Sequence, residues 1–528
     1  MNAVSRRIAR AVAALLLLAL GGYLFSRPLT GATLAAAFLG IAQWTWGITW
    51  APQILTAVAL VVLVVLAVRS LHQPGEAACR IRLVAWAVLA AVLLGLEFVW
   101  PDAAVMLAGY AVALGCVVVG LGLAVRALSG RRLRAGDWME WVALAAAGAL
   151  LVAATVGTVA REEAVPRAGE FYSWSGALPD EPGTLLRFER YDGQVPDGSS
   201  GYRILYTTTY SDGSAAVASG VVIVPDGAAG STVVAWQHGT TGVTQSCAPS
   251  LRSDQYTPEN IAGLDLMMER GWVVVATDYP GQGTSGRYPY LVGEGEGRAT
   301  LDAVRAAAQL EGLPSAQQIM LWGHSQGGHA TLWAAQIADG HAPELPVVGV
   351  AALSAAQDPL ALARAILTPD ASSAAVIVAA YVLVPYADEY ADVQLQDAVT
   401  SRAAVPLVQQ MAQRCVDDPG MAVSVLAALA GGQRGQLVEV DLDQGVFASH
   451  LGDNAASGDF DAPLFLGQGV DDEVIPIELQ RDFAAALEEQ GRDVEVHEYA
   501  GYNHLGVITP DSPLIADLFA WADKVLES

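Results

Sequence analysis

Two hydrophobic patterns divide the chain. Through residue 160, apolar residues run in long blocks at 8–25, 52–68, 82–100, 103–125 and 139–160. Each block is near the ~20 residues that a helix needs to cross a bilayer. The stretch 29–50 is apolar too, but it carries Gln43, Thr45, Thr49 and three Trp residues (44, 46 and 50), which suits an interfacial or re-entrant piece. After residue 160 the pattern changes to short runs of strand length. Strands are expected at Tyr202–Thr209 and Ala216–Val224, with a turn at Asp212–Gly213 between them. Further strands are expected at Thr232–Trp236, Trp272–Ala276, Ile319–Trp322, Val347–Leu353, Pro463–Leu466 and Asp493–Tyr499. Helical periodicity fills the intervals, as at Arg298–Leu310 and Gly328–Ala338.

Strand–helix alternation of this kind predicts a mostly parallel sheet with helices on both faces, preceded by an all-α transmembrane region. Residues 361–460 break the rhythm. They are rich in Ala, Leu and Val, helical in pattern, and lie between two core strands, so they are read as an inserted helical cap. The expected organisation is a membrane anchor of about five spans over 1–160, a linker and entry segment over 161–200 rich in Pro, Gly and acidic residues, core at 201–360, cap at 361–460, and core again at 461–528.

Charge sharpens the division. Residues 1–160 hold eleven Arg and five acidic residues, net +6, and the remainder is net −32. The acidic part is repelled by nucleic acid, which is excluded as a partner. The basic clusters Arg6–Arg10, Arg69–Arg82 and Arg126–Arg134 all fall on the cytoplasmic side if five spans form and 29–50 does not cross. The catalytic half then lies outside the cytoplasm. A cleaved signal peptide over 6–25 is the competing reading, and the apolar blocks that follow speak against it. Cys79, Cys116, Cys247 and Cys415 form no CxxC or Cys/His cluster, so a structural metal site is not expected. Spacing alone leaves Cys247 and Cys415 open between a disulfide and two buried thiols.

The candidate chemistry begins at Gly323–His324–Ser325–Gln326–Gly327, a G-x-S-x-G between an apolar strand and a helix. That context is a nucleophile elbow. The alternative is a Gly-rich turn with a capping Ser. A Ser hydroxyl needs a base, and in such folds the order is Ser, acid, His. Asp471 and Asp472 follow the strand Pro463–Leu466, and His504 follows the strand Asp493–Tyr499. Asp472 is preferred over Asp471 as the acid. His497 lies within a strand and is the weaker base. Oxyanion donors are expected from the backbone N–H groups of Gln326 and of Thr240 in His238–Gly239–Thr240–Thr241–Gly242. His238, His324 and His329 are read as packing or hydrogen-bonding residues.

Five motifs together resemble the secretory lipase family of α/β-hydrolases: His238–Gly242, Cys247–Ser250, Asp278–Gly283, Gly323–Gly327 and Gly501–His504. The resemblance covers roughly residues 170–528. It implies an α/β-hydrolase fold with a helical cap, hydrolysis of carboxylic esters, often lipid esters, and a disulfide between Cys247 and Cys415. The multi-span N-terminus departs from the family pattern, whose members are usually simply secreted. The expected reaction runs through an acyl-enzyme on Ser325 and needs no metal or organic cofactor. Acyl transfer to another alcohol would use the same residues. A non-catalytic membrane sensor on the same fold is the rival from another class. The sequence says nothing of oligomeric state.

Overall fold

The computed structural model describes residues 3–25, 28–39, 41, 45–71, 77–129, 158, 161, 164–228, 232–313, 316–368, 371–432 and 437–527. Among the described residues five helices come first: α1 (Ala3–Phe25), α2 (Pro28–Phe38), α3 (Thr45–Leu71), α4 (Ala77–Val99) and α5 (Pro101–Ser129). Among the described residues, Arg7–Leu24, Trp50–Val68 and Pro101–Leu121 are long and apolar enough to cross a membrane, and Leu83–Val99 is a shorter apolar helix. The expected span at 139–160 lies almost wholly outside the described residues. The doubtful stretch 29–50 holds α2, whose 11 residues are too few to cross a bilayer.

The second half is built on one nine-stranded sheet: β1 (Leu185–Arg190), β2 (Ser199–Thr209), β3 (Ala215–Pro225), β4 (Thr232–Gln237), β5 (Val273–Thr277), β6 (Gln318–His324), β7 (Val347–Leu353), β8 (Leu464–Gly469) and β9 (Val494–Tyr499). Their spatial order is β1-β2-β3-β5-β4-β6-β7-β8-β9. Strands β1, β2, β3 and β5 pair antiparallel, and every pairing from β5 through β4 to β9 is parallel. Eight of the nine strands fall where the hydrophobic runs predict them. The ninth, β1, lies within 161–200, so the entry segment carries an edge strand that the hydrophobic pattern did not predict. Its sequence, Leu-Leu-Arg-Phe-Glu-Arg, is half charged because an edge strand keeps one side in water.

The remaining helices are α6 (Leu264–Glu269), α7 (Gly293–Ala307), α8 (Gln326–His341), α9 (Pro359–Ile366), α10 (Ser373–Glu389), α11 (Val405–Ala412), α12 (Met421–Gly432), α13 (Val446–Asp453), α14 (Ile477–Glu489) and α15 (Pro513–Glu527). Alternation along the strands sends side chains to two cores. Val233, Ala235, Ile319 and Leu321 pack on one face with residues of α7, α8 and α14. Val234, Trp236, Met320 and Trp322 pack on the other with residues of α6 and α15. Strands β4, β5 and β8 are buried at every position, as central parallel strands covered on both faces must be.

Helices α9 to α13 lie between β7 and β8 and form the cap. Its core does not close on itself. Tyr381, Leu407, Met411 and Ala428 of the cap share one apolar cluster with Ala32, Ala36, Ala51, Val105 and Met106 of the N-terminal helices. Tyr279, Tyr288 and Tyr290, on loops beside the sheet, join the same cluster. A buried ion pair crosses this junction. Arg414 Nη1 and Nη2 donate to the Asp102 carboxylate at 2.8 and 3.0 Å, and neither side chain is exposed. Beside it, Arg161 Nε donates to Asp418 at 2.8 Å, and both arginines lie over the Trp100 ring.

Candidate active site

The sheet order reverses at β4: the chain passes from β4 to β5 on one side, then crosses to β6 on the other. Loops leaving β4 and β6 therefore diverge and leave a crevice at their carboxyl ends. Ser325 follows β6 and opens α8 there, with φ 59° and ψ −120°. A positive φ is unfavourable for any residue with a Cβ, and it marks the sharp turn of an elbow. The flanking glycines have a steric cause. A Cβ on Gly323 would lie 2.2 Å from the Gly327 carbonyl oxygen, and one on Gly327 would lie 1.9 Å from the Gln237 carbonyl oxygen. Strand β4 and helix α8 are in backbone contact, and no side chain fits between them.

His504 and Asp472 come together from the loops after β9 and β8. His504 Nδ1 donates to Asp472 Oδ2 at 2.8 Å. The other carboxylate oxygen accepts the Val474 and Ile475 N–H groups at 2.9 and 2.8 Å. Burial raises the Asp472 carboxyl, but the hydrogen bond and charge of His504, with the two backbone donors, outweigh it and hold the group below the ordinary aspartate value. Asp471, the rejected neighbour, points to solvent. His504 is tied to the elbow through His324. The His324 Nε2 donates to the His504 carbonyl at 2.9 Å, and the two rings lie 4.6 Å apart. Burial and the neighbouring His504 push the His324 pKa down to about 3, so it stays a neutral spacer. His497 stands apart, hydrogen-bonded to Glu495 at 2.9 Å within β9.

The loop after β4 closes the other side of the crevice. A Cβ on Gly239 would sit 3.4 Å from the Ser325 Cβ, so the loop after β4 passes directly over the elbow. Gln326 is the first residue of α8, where a helix leaves its N–H groups without intrahelical acceptors. Three supports hold this loop. Gln282 Nε2 donates to Thr241 Oγ1 at 3.0 Å and to the Gly242 carbonyl at 2.6 Å. The Val416 N–H donates to the Thr241 carbonyl at 2.9 Å. Cys247 and Cys415 form a disulfide with their Cα atoms 5.3 Å apart, joining the loop to the cap.

Several buried polar residues near the site were not singled out from the sequence. Glu296 of α7 accepts Gln326 Nε2 at 2.7 Å and lies 2.7 Å from His329 Nδ1, with both side chains fully buried. His329 Nε2 faces the Asn454 carbonyl at 2.8 Å, so that nitrogen carries a proton. Glu296 thus holds the side chain of the residue whose backbone N–H is the candidate oxyanion donor. The available signal was the run Gly293–Glu–Gly–Glu–Gly297, where a Cβ on Gly297 would meet the Ala334 nitrogen at 2.9 Å. Asp278, the first residue of one of the five motifs, is also fully buried. It accepts Ser219 Oγ at 2.5 Å and the Ser250 N–H at 2.9 Å, together with the Ser250 hydroxyl. The Asp278-Tyr-Pro-Gly-Gln-Gly and Cys-Ala-Pro-Ser motifs therefore lock together, and Gln282 of the first also holds the loop after β4.

The sheet, the cap insertion and the elbow define the class: an α/β-hydrolase. The chain belongs to the secretory lipase family, whose model matches residues 256–525. It is 29% identical over 224 residues to Lipase A of Moesziomyces aphidis, covering 39% of this chain and 47% of that protein. It is 33% identical over 184 residues to a Mycobacterium tuberculosis protein named as a probable inactive lipase, covering 32% of this chain and 40% of that one. The chain thus matches less than half the length of these curated relatives. Among solved structures it is similar to Candida antarctica lipase A in its closed state, with a TM-score of 0.52 and 19% identity over 65% of this chain and 83% of that one. It is also similar to a mutant of the rice cell wall degrading esterase LipA from Xanthomonas oryzae, with a TM-score of 0.53 and 20% identity over 66% of this chain and 99% of that one. These two likenesses bear on the fold.

Proposed function

We propose that the chain is a membrane-anchored serine carboxylic-ester hydrolase acting on lipid-like or other apolar esters. The observation that carries the reading is Ser325 at φ 59° on a strand-to-helix elbow, with His504 bonded through its carbonyl to His324 of that elbow and through its Nδ1 to a buried Asp472. In the proposed reaction Ser325 Oγ attacks the ester carbonyl carbon, and His504 Nε2 takes the hydroxyl proton. The carbonyl oxygen gains negative charge between the N–H groups of Thr240 and Gln326. The carbon–oxygen bond to the alcohol then breaks, and His504 returns the proton to the departing alkoxide. Water, deprotonated by the same histidine, releases the acid from the acyl-enzyme. Asp472 keeps the proton on Nδ1, so that Nε2 is the free base, and stabilises the imidazolium.

The proposed membrane arrangement is multi-pass, with the catalytic half outside the cytoplasm. Three observations support it. Three described helices have the length and hydropathy of spans. The disulfide suits an oxidising compartment. The N-terminal residues that pack into the cap core come from 29–51 and 105–110, near segments that the positive-inside rule puts outside. The test is hydrolysis of a chain-length series of chromogenic esters by the full-length protein in detergent. Activity is expected in the wild type and a loss on the order of 10³-fold or more in Ser325→Ala. A Ser325→Ala variant as active as wild type defeats the assignment. An inactive wild type with an intact fold favours the non-catalytic sensor.

A further inference from the structure

Helix α12 has its large side chains on the wrong side for water. Ser424, Ala427 and Ala428 face the protein at 0%, 3% and 2% exposure, while Leu426 and Leu429 face outward at 65% and 54%. Exposed Ala422 completes an i, i+4, i+7 apolar stripe with those two leucines. In a helix that meets water the pattern is reversed: bulky apolar residues turn inward, because each exposed leucine forgoes the stabilisation of burial. No charged residue occurs between Asp418 and Arg434, so no polar face competes. Val416, just before the helix, is 54% exposed. Outside the N-terminal helices, six large hydrophobic residues are exposed among the described residues, and three of them lie within 416–429.

The neighbours of α12 say what covers it. The helix packs on α2 and on α5. Arg414 fixes its height, donating to Ser424 Oγ of α12 at 2.9 Å and to Asp102, the second residue of α5. On α5 itself Leu107 and Leu114 are also exposed.

We propose that α12 is seated in the outer leaflet of the membrane that α5 crosses, with Leu426 and Leu429 among the lipid acyl chains. This rests on the anchoring reading above. The cap is then held against the bilayer by its own helix as well as by its junction with the N-terminal helices. A monotopic helix of this kind sits about 5–10 Å into the boundary between headgroups and chains.

Nitroxide labels at Leu426→Cys, Leu429→Cys and Glu489→Cys, each in a Cys79→Ser/Cys116→Ser background, test this in the full-length protein. Glu489, exposed on the soluble half, is the aqueous reference. The protein is reconstituted in phosphatidylcholine vesicles, and collision rates are measured with oxygen and with a water-soluble nickel chelate. The labels at 426 and 429 are expected to favour oxygen over nickel several-fold relative to 489. Equal ratios at all three sites overturn the proposal. Alkaline carbonate extraction of the same vesicles separates the two failures. A chain that stays in the pellet with water-exposed labels defeats the seating of α12 alone. A chain released to the supernatant defeats the anchor and the seating together.

Discussion

Replacing Asp472 by Asn is expected to cost about 10⁴-fold in kcat, a loss whose size follows from the hydrogen bonds around the carboxylate. One oxygen, Oδ1, accepts two backbone N–H groups at 2.9 and 2.8 Å, and the other faces His504 Nδ1 at 2.8 Å. An asparagine must keep its amide oxygen toward the two N–H donors. Its NH₂ group is then aimed at His504, where it can only donate. Nδ1 must accept, the ring proton moves to Nε2, and the proposed base for Ser325 is lost. A factor of 10⁴ corresponds to about 5.5 kcal/mol of transition-state stabilisation. The assay is kcat/KM on a soluble chromogenic ester, with Asp471→Asn as the control. Asp471 is exposed, so its variant should stay within a few-fold of wild type. Equal losses in the two variants, or a larger loss in Asp471→Asn, would refute the assignment of the acid.

Other outcomes follow from the same geometry. Arg414→Met leaves Asp102 buried without its partner and should destabilise the cap by about 3–5 kcal/mol, whereas Arg414→Met with Asp102→Leu should recover most of that loss in hydrogen-exchange protection. Breaking the Cys247–Cys415 bridge, whose cysteines are 168 residues apart, should cost on the order of 4–5 kcal/mol in the chain-entropy model. In intact cells protease should reach the soluble half, and both cysteines should resist alkylation until reductant is added. His324 and His238 are held neutral by burial, with pKa values lowered to about 3 and about 4. In the unfolded chain they take protons near 6.5, so stability is complete above that pH and declines as pH falls toward those folded values. At pH 5 each histidine contributes roughly 2 kcal/mol of this loss, and melting curves from pH 8 to pH 4 should fall accordingly.

The parts of the molecule legible in the sequence are those governed by local pattern. Strands β4 to β8 are short β-branched or apolar runs, and the glycines at 323 and 327 advertise a turn that only small residues permit. That Asp472 and His504 would meet could be read because each follows one of two neighbouring parallel strands, β8 and β9. Strand β1 was missed because three charged residues in six hide its period. The Glu296 network was missed because its partners at 326, 329 and 291 meet only once α7 and α8 pack side by side. The junction of Asp102 with Arg414 joins residues 312 positions apart, a separation that no periodicity spans. Asp102 reads in the sequence as an interface residue at the end of an apolar block. In the folded chain it is a buried counter-ion for the cap.

Reaction of Ser325 with an activated electrophile bears most directly on the central claim. A fluorophosphonate probe phosphonylates a serine hydroxyl only where a neighbouring base removes its proton. The full-length protein in detergent should take up one probe, and peptide mass spectrometry should find it on Ser325. Ser325→Ala should remain unlabelled, and Asp472→Asn should label far more slowly than wild type. Undiminished labelling of Ser325→Ala, or a probe found on a serine outside the elbow, would contradict the account.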